Sequence, residues 1–175
     1  MSMVGFDVVE LGGTDHVEEG DVAPDFTRPL VNPEYWEDTS LSELTDEGPV
    51  LLIFHPMDGD FPATYIWKEM VAREWDELPV QVVGVSISSP YEHEGLIRER
   101  GIEDRDYRLF SDPANGIAEE YGIVHDLDGM AGISEPRIAA FLVDEDRTVR
   151  YAWVATEWPQ FPDYDAIEDA IDRVA

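Results

Sequence analysis

Not one cysteine occurs in the 175 residues. That excludes disulfides, thiolate-held iron–sulfur clusters, zinc sites built on cysteine and every thiol-based redox cycle on this polypeptide. It leaves the redox compartment open. Basic residues are scarce: there are 11 against 40 acidic ones, Lys68 is the only lysine, and the formal net charge is -29. Without a basic patch to neutralise phosphates, direct nucleic-acid binding is disfavoured. No apolar run approaches the roughly 20 residues of a membrane helix, so no membrane partner is expected. The opening MSMVGFDVVELGG has neither the basic nor the long apolar region of a secretion signal, and the expected location is cytoplasmic.

What is present is enough for a core. Hydrophobic residues make up 43% of the chain, and this length favours a single domain. The acids are interleaved with apolar positions, so they read as a solvated face rather than a polyacidic interaction tail. At low salt such a charge destabilises the compact state by self-repulsion. At molar salt the screening length falls to about 3 Å and the repulsion largely vanishes. The composition therefore points to a high-salt cytoplasm, with solvent cations around the acidic surface.

Along the chain, residues 1–19 are weakly patterned and read as an N-terminal arm or an extra edge strand (VGFDVVEL), ahead of a single domain over 20–175. GDVAPDF is a turn signal in which Pro24 fixes the backbone. TSLSEL, 39–44, opens a short helix with Ser40 as cap. PVLLIFH, 49–55, reads as a buried strand and VQVVGVSI, 80–87, as the next, both nearly all apolar as parallel strands are. Between them Ile66, Trp67, Met70, Val71, Trp75 and Leu78 recur at three- and four-residue spacings, which predicts a helix, with Pro62 near its start. SSPYEHEGLIRERG reads as a cap (Ser88 or Ser89), a helix and a glycine stop at Gly101. A strand over 107–110, a helix over 113–121 and a loop over 125–136 follow. RIAAFLVD and TVRYAWVA form an antiparallel hairpin, with Val149, Tyr151 and Trp153 expected on one face. DYDAIEDAIDRVA closes the chain as an amphipathic helix with Tyr164, Ile167, Ile171 and Val174 in its stripe. The order of elements is that of an α/β sandwich with one antiparallel edge region.

This order, with these stretches, resembles the peroxiredoxin (alkyl hydroperoxide reductase and thiol-specific antioxidant) family on a thioredoxin-like fold, a central mixed β-sheet flanked by helices. GDVAPDF is similar to the family's opening GxxAPxF. VVGVSISSPYEHEGLIRERG is similar to its valine-rich strand followed by Ser, Pro and His. FSDPANGIAEEYGI is similar to its SDxxxxxAxxYG run, and AAFLVDEDRTVRY to its FxIDxxGxIRY hairpin. The resemblance spans about residues 20 to 155 and implies a thiol-dependent peroxidase scaffold and a homodimer.

The family's active-site pattern is Pro, three residues, Thr, two residues, Cys. In FHPMDGDFPATYIW, Pro56 matches the proline, Asp60 falls on the threonine, Ala63 falls on the peroxide-reducing cysteine, and Thr64 matches the residue that often follows it. The family's arginine, six residues before the hairpin aspartate, lands on Ile138; Arg137 is one position off, and in a strand one position means the opposite face. Peroxide reduction by this route needs a thiolate that becomes a sulfenic acid, and neither alanine nor threonine supplies that step. The expectation is a cysteine-free, degenerate member from a halophilic archaeon, acting in binding or protein interaction, without a cofactor. Two alternatives remain open: an oxidoreductase role dependent on an external thiol partner, and a non-thiol hydrolase in which His55 activates Thr64.

Other residues have a functional and a bland reading. His55, Asp58 and Asp60 could hold a divalent cation, but a strand-end histidine and surplus aspartates need no metal. Glu135-Pro136 precedes the hairpin, and the resemblance implies a cis Pro136 shaping a pocket that faces Ala63. Asp126 and Asp128 in HDLDGM lack the full calcium-loop spacing and read as a solvated loop. His93 matches a family position near the subunit-facing side, against the simpler reading of a surface histidine, and His125 is uninformative. Trp67 and Trp75 read as core or interface residues, and Trp153 and Trp158 as candidates for a dimer surface.

Overall fold

The computed structural model describes residues 9–125 and 132–174. Runs of β-branched and aromatic residues lie down as strands, and the helices pack their apolar stripes onto both faces of the resulting sheet. In chain order the elements are β1 (Val9–Glu10), β2 (Thr27–Val31), β3 (Trp36–Ser40), α1 (Leu41–Thr45), β4 (Val50–Phe54), α2 (Phe61–Ala72), β5 (Gln81–Ser86) and α3 (Pro90–Glu99). Then come β6 (Tyr107–Ser111), α4 (Gly116–Tyr121), β7 (Val124–His125), β8 (Glu135–Pro136), β9 (Ala139–Val143), β10 (Val149–Val154), β11 (Glu157–Trp158) and α5 (Tyr164–Val174).

Seven strands form the main sheet in the order β10-β9-β4-β5-β6-β2-β3. Its centre, β4, β5 and β6, is parallel, and both flanks are antiparallel. Alternation along β4 distributes the core to both faces: Val50, Leu52 and Phe54 pack on the side of α1 and α4, while Leu51 and Ile53 pack on the side of α2, α3 and α5. Gly84 in β5 is needed for this packing. A Cβ there would lie 2.7 Å from the Trp67 indole, which fills that space.

Most predicted elements are present, and the differences have local causes. The β2–β3 hairpin has no clean alternation and contains Pro29, so its sequence does not read as strand. The sheet tolerates Pro29 because β6 pairs only with Leu30 and Val31. The Asn32 carboxamide makes the turn by accepting from the amides of Glu34 and Tyr35. Helix α4 starts later than predicted: Asn115 is left-handed at φ 59, and only beyond it does the Asp112 carboxylate accept from the Ile117 amide. The expectation that Val149, Tyr151 and Trp153 share one face is corrected. The β9–β10 register shifts between Val149 and Tyr151, so Val149 packs with Ala152 and Val154, and Tyr151 and Trp153 face the other way. One extra residue in one strand breaks a period-two count.

Residues 9–19 pack onto the rest of the chain without extending the main sheet. β1 pairs antiparallel with β11, the Leu11 amide donates to Thr156, and the Val17 amide donates to Tyr121. The aspartates expected in the 126–131 loop lie outside the described residues. Among the described residues no helix is long and apolar enough to cross a membrane.

Candidate functional site

The parallel strands β4, β5 and β6 end together, and ligand crevices in open α/β sheets form beyond such carboxyl ends. Here they present His55, Ser86 and Ser111, with the loop 55–60 and the start of α3 above them. Asp58 is the centre of this group. Its amide donates to the Ser88 hydroxyl at 2.8 Å, Ser86 donates to its Oδ1 at 3.2 Å, and its Oδ2 lies 2.6 Å from His93 Nδ1.

His93 is not the surface histidine that its helical position suggested. It is fully buried, because the first turn of α3 rests on the sheet rather than on solvent. Its Nε2 lies 3.0 Å from the Phe110 carbonyl and its Nδ1 faces the Asp58 carboxylate. Both ring nitrogens therefore face acceptors. The arrangement is satisfied when Nε2–H donates to the carbonyl and a proton sits between Nδ1 and Oδ2, which makes the pair neutral as a unit. Burial alone would raise the Asp58 carboxyl, but the His93 hydrogen bond and charge outweigh it and hold its pKa below the usual value.

His55 has a different state. Its Nε2 accepts from Trp67 Nε1–H at 3.2 Å, so the proton resides on Nδ1, which has no hydrogen-bond partner among the described residues and lies 3.9 Å from Asp58 Oδ1. Burial drives its pKa down to about 4; the Asp58 charge opposes that shift and the His93 charge adds to it. His55 is a neutral, buried imidazole at pH 7.

The predicted turn residues sit at the start of α2. Asp60 is the N-cap and accepts from the Ala63 amide at 2.8 Å, with Pro62 in the first turn. Thr64 donates to the Asp60 carbonyl at 2.9 Å. His55 and Thr64 thus direct their hydrogen bonds to Trp67 and Asp60, and the structure does not join them as base and nucleophile. Nor does it gather His55, Asp58 and Asp60 as a cation shell: the Asp60 carboxylate faces the helix amide, and among the described residues no cluster of three or more acids and histidines has metal-binding geometry.

Ala63 is buried, yet it borders a cleft of about 270 Å³ between α2 and α3, lined also by Asp58, Thr64, Glu92, Gly95 and Arg100. Neither His55 nor Pro136 borders it. The cis reading of Pro136 is corrected: among the described residues the only cis bond is Trp158-Pro159. A trans Pro136 instead pairs with Val124 in the β7–β8 ladder and leads the extended chain toward β9. Ile138, at the position where the pattern places an arginine, packs in the same core as Ile66 and Trp67. Arg137, one residue earlier, points elsewhere and donates to the carbonyls of Ala155 and Gly12.

The AhpC/TSA family matches residues 19–152. The chain belongs to that family. It is 31% identical over 137 residues to alkyl hydroperoxide reductase C of Buchnera aphidicola, covering 74% of this chain and 67% of that one. It is 32% identical over 148 residues to a putative peroxiredoxin of Synechocystis, covering 81% and 70%. In three dimensions it matches the reduced 2-Cys peroxiredoxin of Plasmodium vivax with a TM-score of 0.71 at 24% identity, over 89% of this chain and 81% of that one. The peroxidoxin BcpB of Mycobacterium tuberculosis gives 0.70 at 24%, over 91% and 97%. This AhpC/TSA member has the peroxiredoxin-type fold and no cysteine, and so lacks the thiol peroxidase chemistry of its family.

Of the buried pair, only the histidine left a signal in the sequence. A histidine four residues after a capping serine, on a helix following a parallel strand, points at the sheet. Its partner Asp58, lying 35 residues away, was one aspartate among many.

Proposed function

We propose that this chain is a binding member of the AhpC/TSA family, with the cleft beside Ala63 as its contact surface for a protein partner or small molecule. The observation that carries the reading is the Ala63 environment. The side chain at the position the family pattern assigns to the thiol has no nucleophile, and its amide donates to the Asp60 carboxylate. A helix N-terminus stabilises an anion through free amides and its dipole; here an acid of the chain itself occupies that end. The cleft nonetheless stays open. Gly95 borders it, and a Cβ built there meets nothing within 4 Å. The same reading makes the protein a homodimer in a salt-rich cytoplasm, with Trp153 and Trp158 near the subunit contact.

Two measurements test this. Purified protein in molar potassium chloride, supplied with thioredoxin or dithiothreitol, is expected to consume hydrogen peroxide no faster than buffer. Turnover above that background would restore an oxidoreductase role dependent on an external thiol. Capture experiments at the same salt should then compare the wild-type protein with Gly95→Phe, which fills the cleft. A partner retained equally by both would place binding elsewhere.

A further inference from the structure

A guanidinium stays charged at any pH a protein tolerates, so burying one demands acceptors, and carboxylates are the strongest. This chain has acids in excess, and five of its ten arginines use them: Arg28 pairs with Asp112, Arg73 with Glu69, Arg105 with Asp76, Arg147 with Asp25 and Arg150 with Asp144. Arg137 is the buried arginine, and it differs from these five. It is only 6% exposed, and among the described residues it has no ion pair. Among the described residues its partners are two neutral carbonyls, Ala155 at 3.1 Å from Nη1 and Gly12 at 2.5 Å from Nη2, and its buried Nε has none. Burial lowers its pKa. Leaving such a donor unsatisfied is costly, and the chain did not place a carboxylate here.

Arg137 also lines a cavity. Gly12, Gly13, Thr14 and His16 of the N-terminal segment lie against the end of β10 and, with Arg137 and Thr156, line a half-open cavity of about 180 Å³. This space shares no lining residue with the cleft at Ala63. The glycines bring backbone close without side-chain bulk, and Thr14 contributes a hydroxyl. We propose that this cavity is a binding site for a small oxyanion, held by the Arg137 guanidinium and assisted by Thr14. The anion supplies the missing negative charge and accepts from Nε–H and the remaining Nη N–H, the fork geometry that suits carboxylate and phosphate oxygens. Because the molecule as a whole repels anions, binding is strongest where salt screens that field.

The test titrates inorganic phosphate and, separately, acetate into the full chain by calorimetry, in about 1 M potassium chloride so that screening stays constant. Saturable binding of either is expected, and the tighter of the two identifies the oxyanion as tetrahedral or carboxylate. Arg137→Lys should weaken it by at least about tenfold, since an ammonium cannot reproduce the fork. Thr14→Val, which leaves both guanidinium–carbonyl bonds in place, should weaken it several-fold and decides the matter if Arg137→Lys does not fold. Gly95→Phe should leave it unchanged. Absence of saturable binding for both anions, or affinities unaltered in Thr14→Val and Arg137→Lys, would overturn the site and reduce Arg137 to a tether for the N-terminal segment.

Discussion

His55 shows how far one buried imidazole can make stability depend on pH. Unfolded, it titrates near 6.5; folded, near 4. Between those values the unfolded chain binds the extra proton, so stability rises with pH. The contribution is complete above about pH 6.5 and is lost as pH falls toward 4, a loss on the order of 3 kcal/mol. Asp58, held below its usual value, adds a loss of the same sign only at still lower pH. Guanidinium unfolding midpoints measured from pH 7 to pH 4 should therefore drop, and His55→Gln should flatten the drop, because the amide oxygen still accepts from Trp67 but cannot titrate. The His93–Asp58 pair makes a sharper distinction. Asp58→Ala leaves a buried imidazole facing nothing and should cost about 3 kcal/mol. Asp58→Asn should cost much less, since its amide can donate to a neutral Nδ1. Equal losses in the two variants would refute the proton-sharing arrangement.

Among the elements, the start of α2 decides what chemistry the fold can carry. Installing Ala63→Cys alone puts a thiol beside the Asp60 carboxylate, which disfavours the thiolate. Its pKa should stay at or above the ordinary value of about 8.5. Replacing Asp60 as well (A63C with D60T) removes that charge and should lower the pKa by about one unit, read from the pH dependence of alkylation. The helix starts also contribute stability: Ser89 caps α3 through a capping box with Glu92, and Ser89→Ala should cost about 1 kcal/mol in urea unfolding. The N-terminal segment is seated by a glycine. Gly122 ends α4 at φ +73, and a Cβ there would lie 2.5 Å from the Asp15 carbonyl. Gly122→Ala should lift that segment, and faster hydrogen exchange at the Val17 amide, which donates to Tyr121, would report it.

For the whole molecule, a net charge of -29 on 175 residues is a large electrostatic load. Adding potassium chloride from 0.1 to 1 M should raise the melting temperature monotonically, because screening removes repulsion that the native state concentrates more than the unfolded chain does. A flat or falling response would remove the basis for placing the protein in a salt-rich cytoplasm. Acid excess does not alter the fold. Leu51, Ile53, Trp67 and Met70 on one face and Leu52, Phe54 and Phe141 on the other bury completely, and most of the acids stay at the surface, with Asp112 and Glu135 buried.

The sequence carried the parallel centre of the sheet, the helices α2, α3 and α5, and the absence of a thiol. Each is written in local pattern: unbroken apolar runs, three-and-four spacing with capping residues, or simple residue identity. It did not carry the β2–β3 hairpin, whose strands are held by partners rather than by alternation, nor the extra residue that turns Val149 away from Tyr151. Above all it did not carry the sites. Asp58 meets His93, and Arg137 meets Gly12 across 125 positions, only because parallel strands end together and the N-terminal segment folds back over β10. Hydrogen bonds and buried charge are set by proximity in space, and proximity between distant residues has no signature in a single chain read in order.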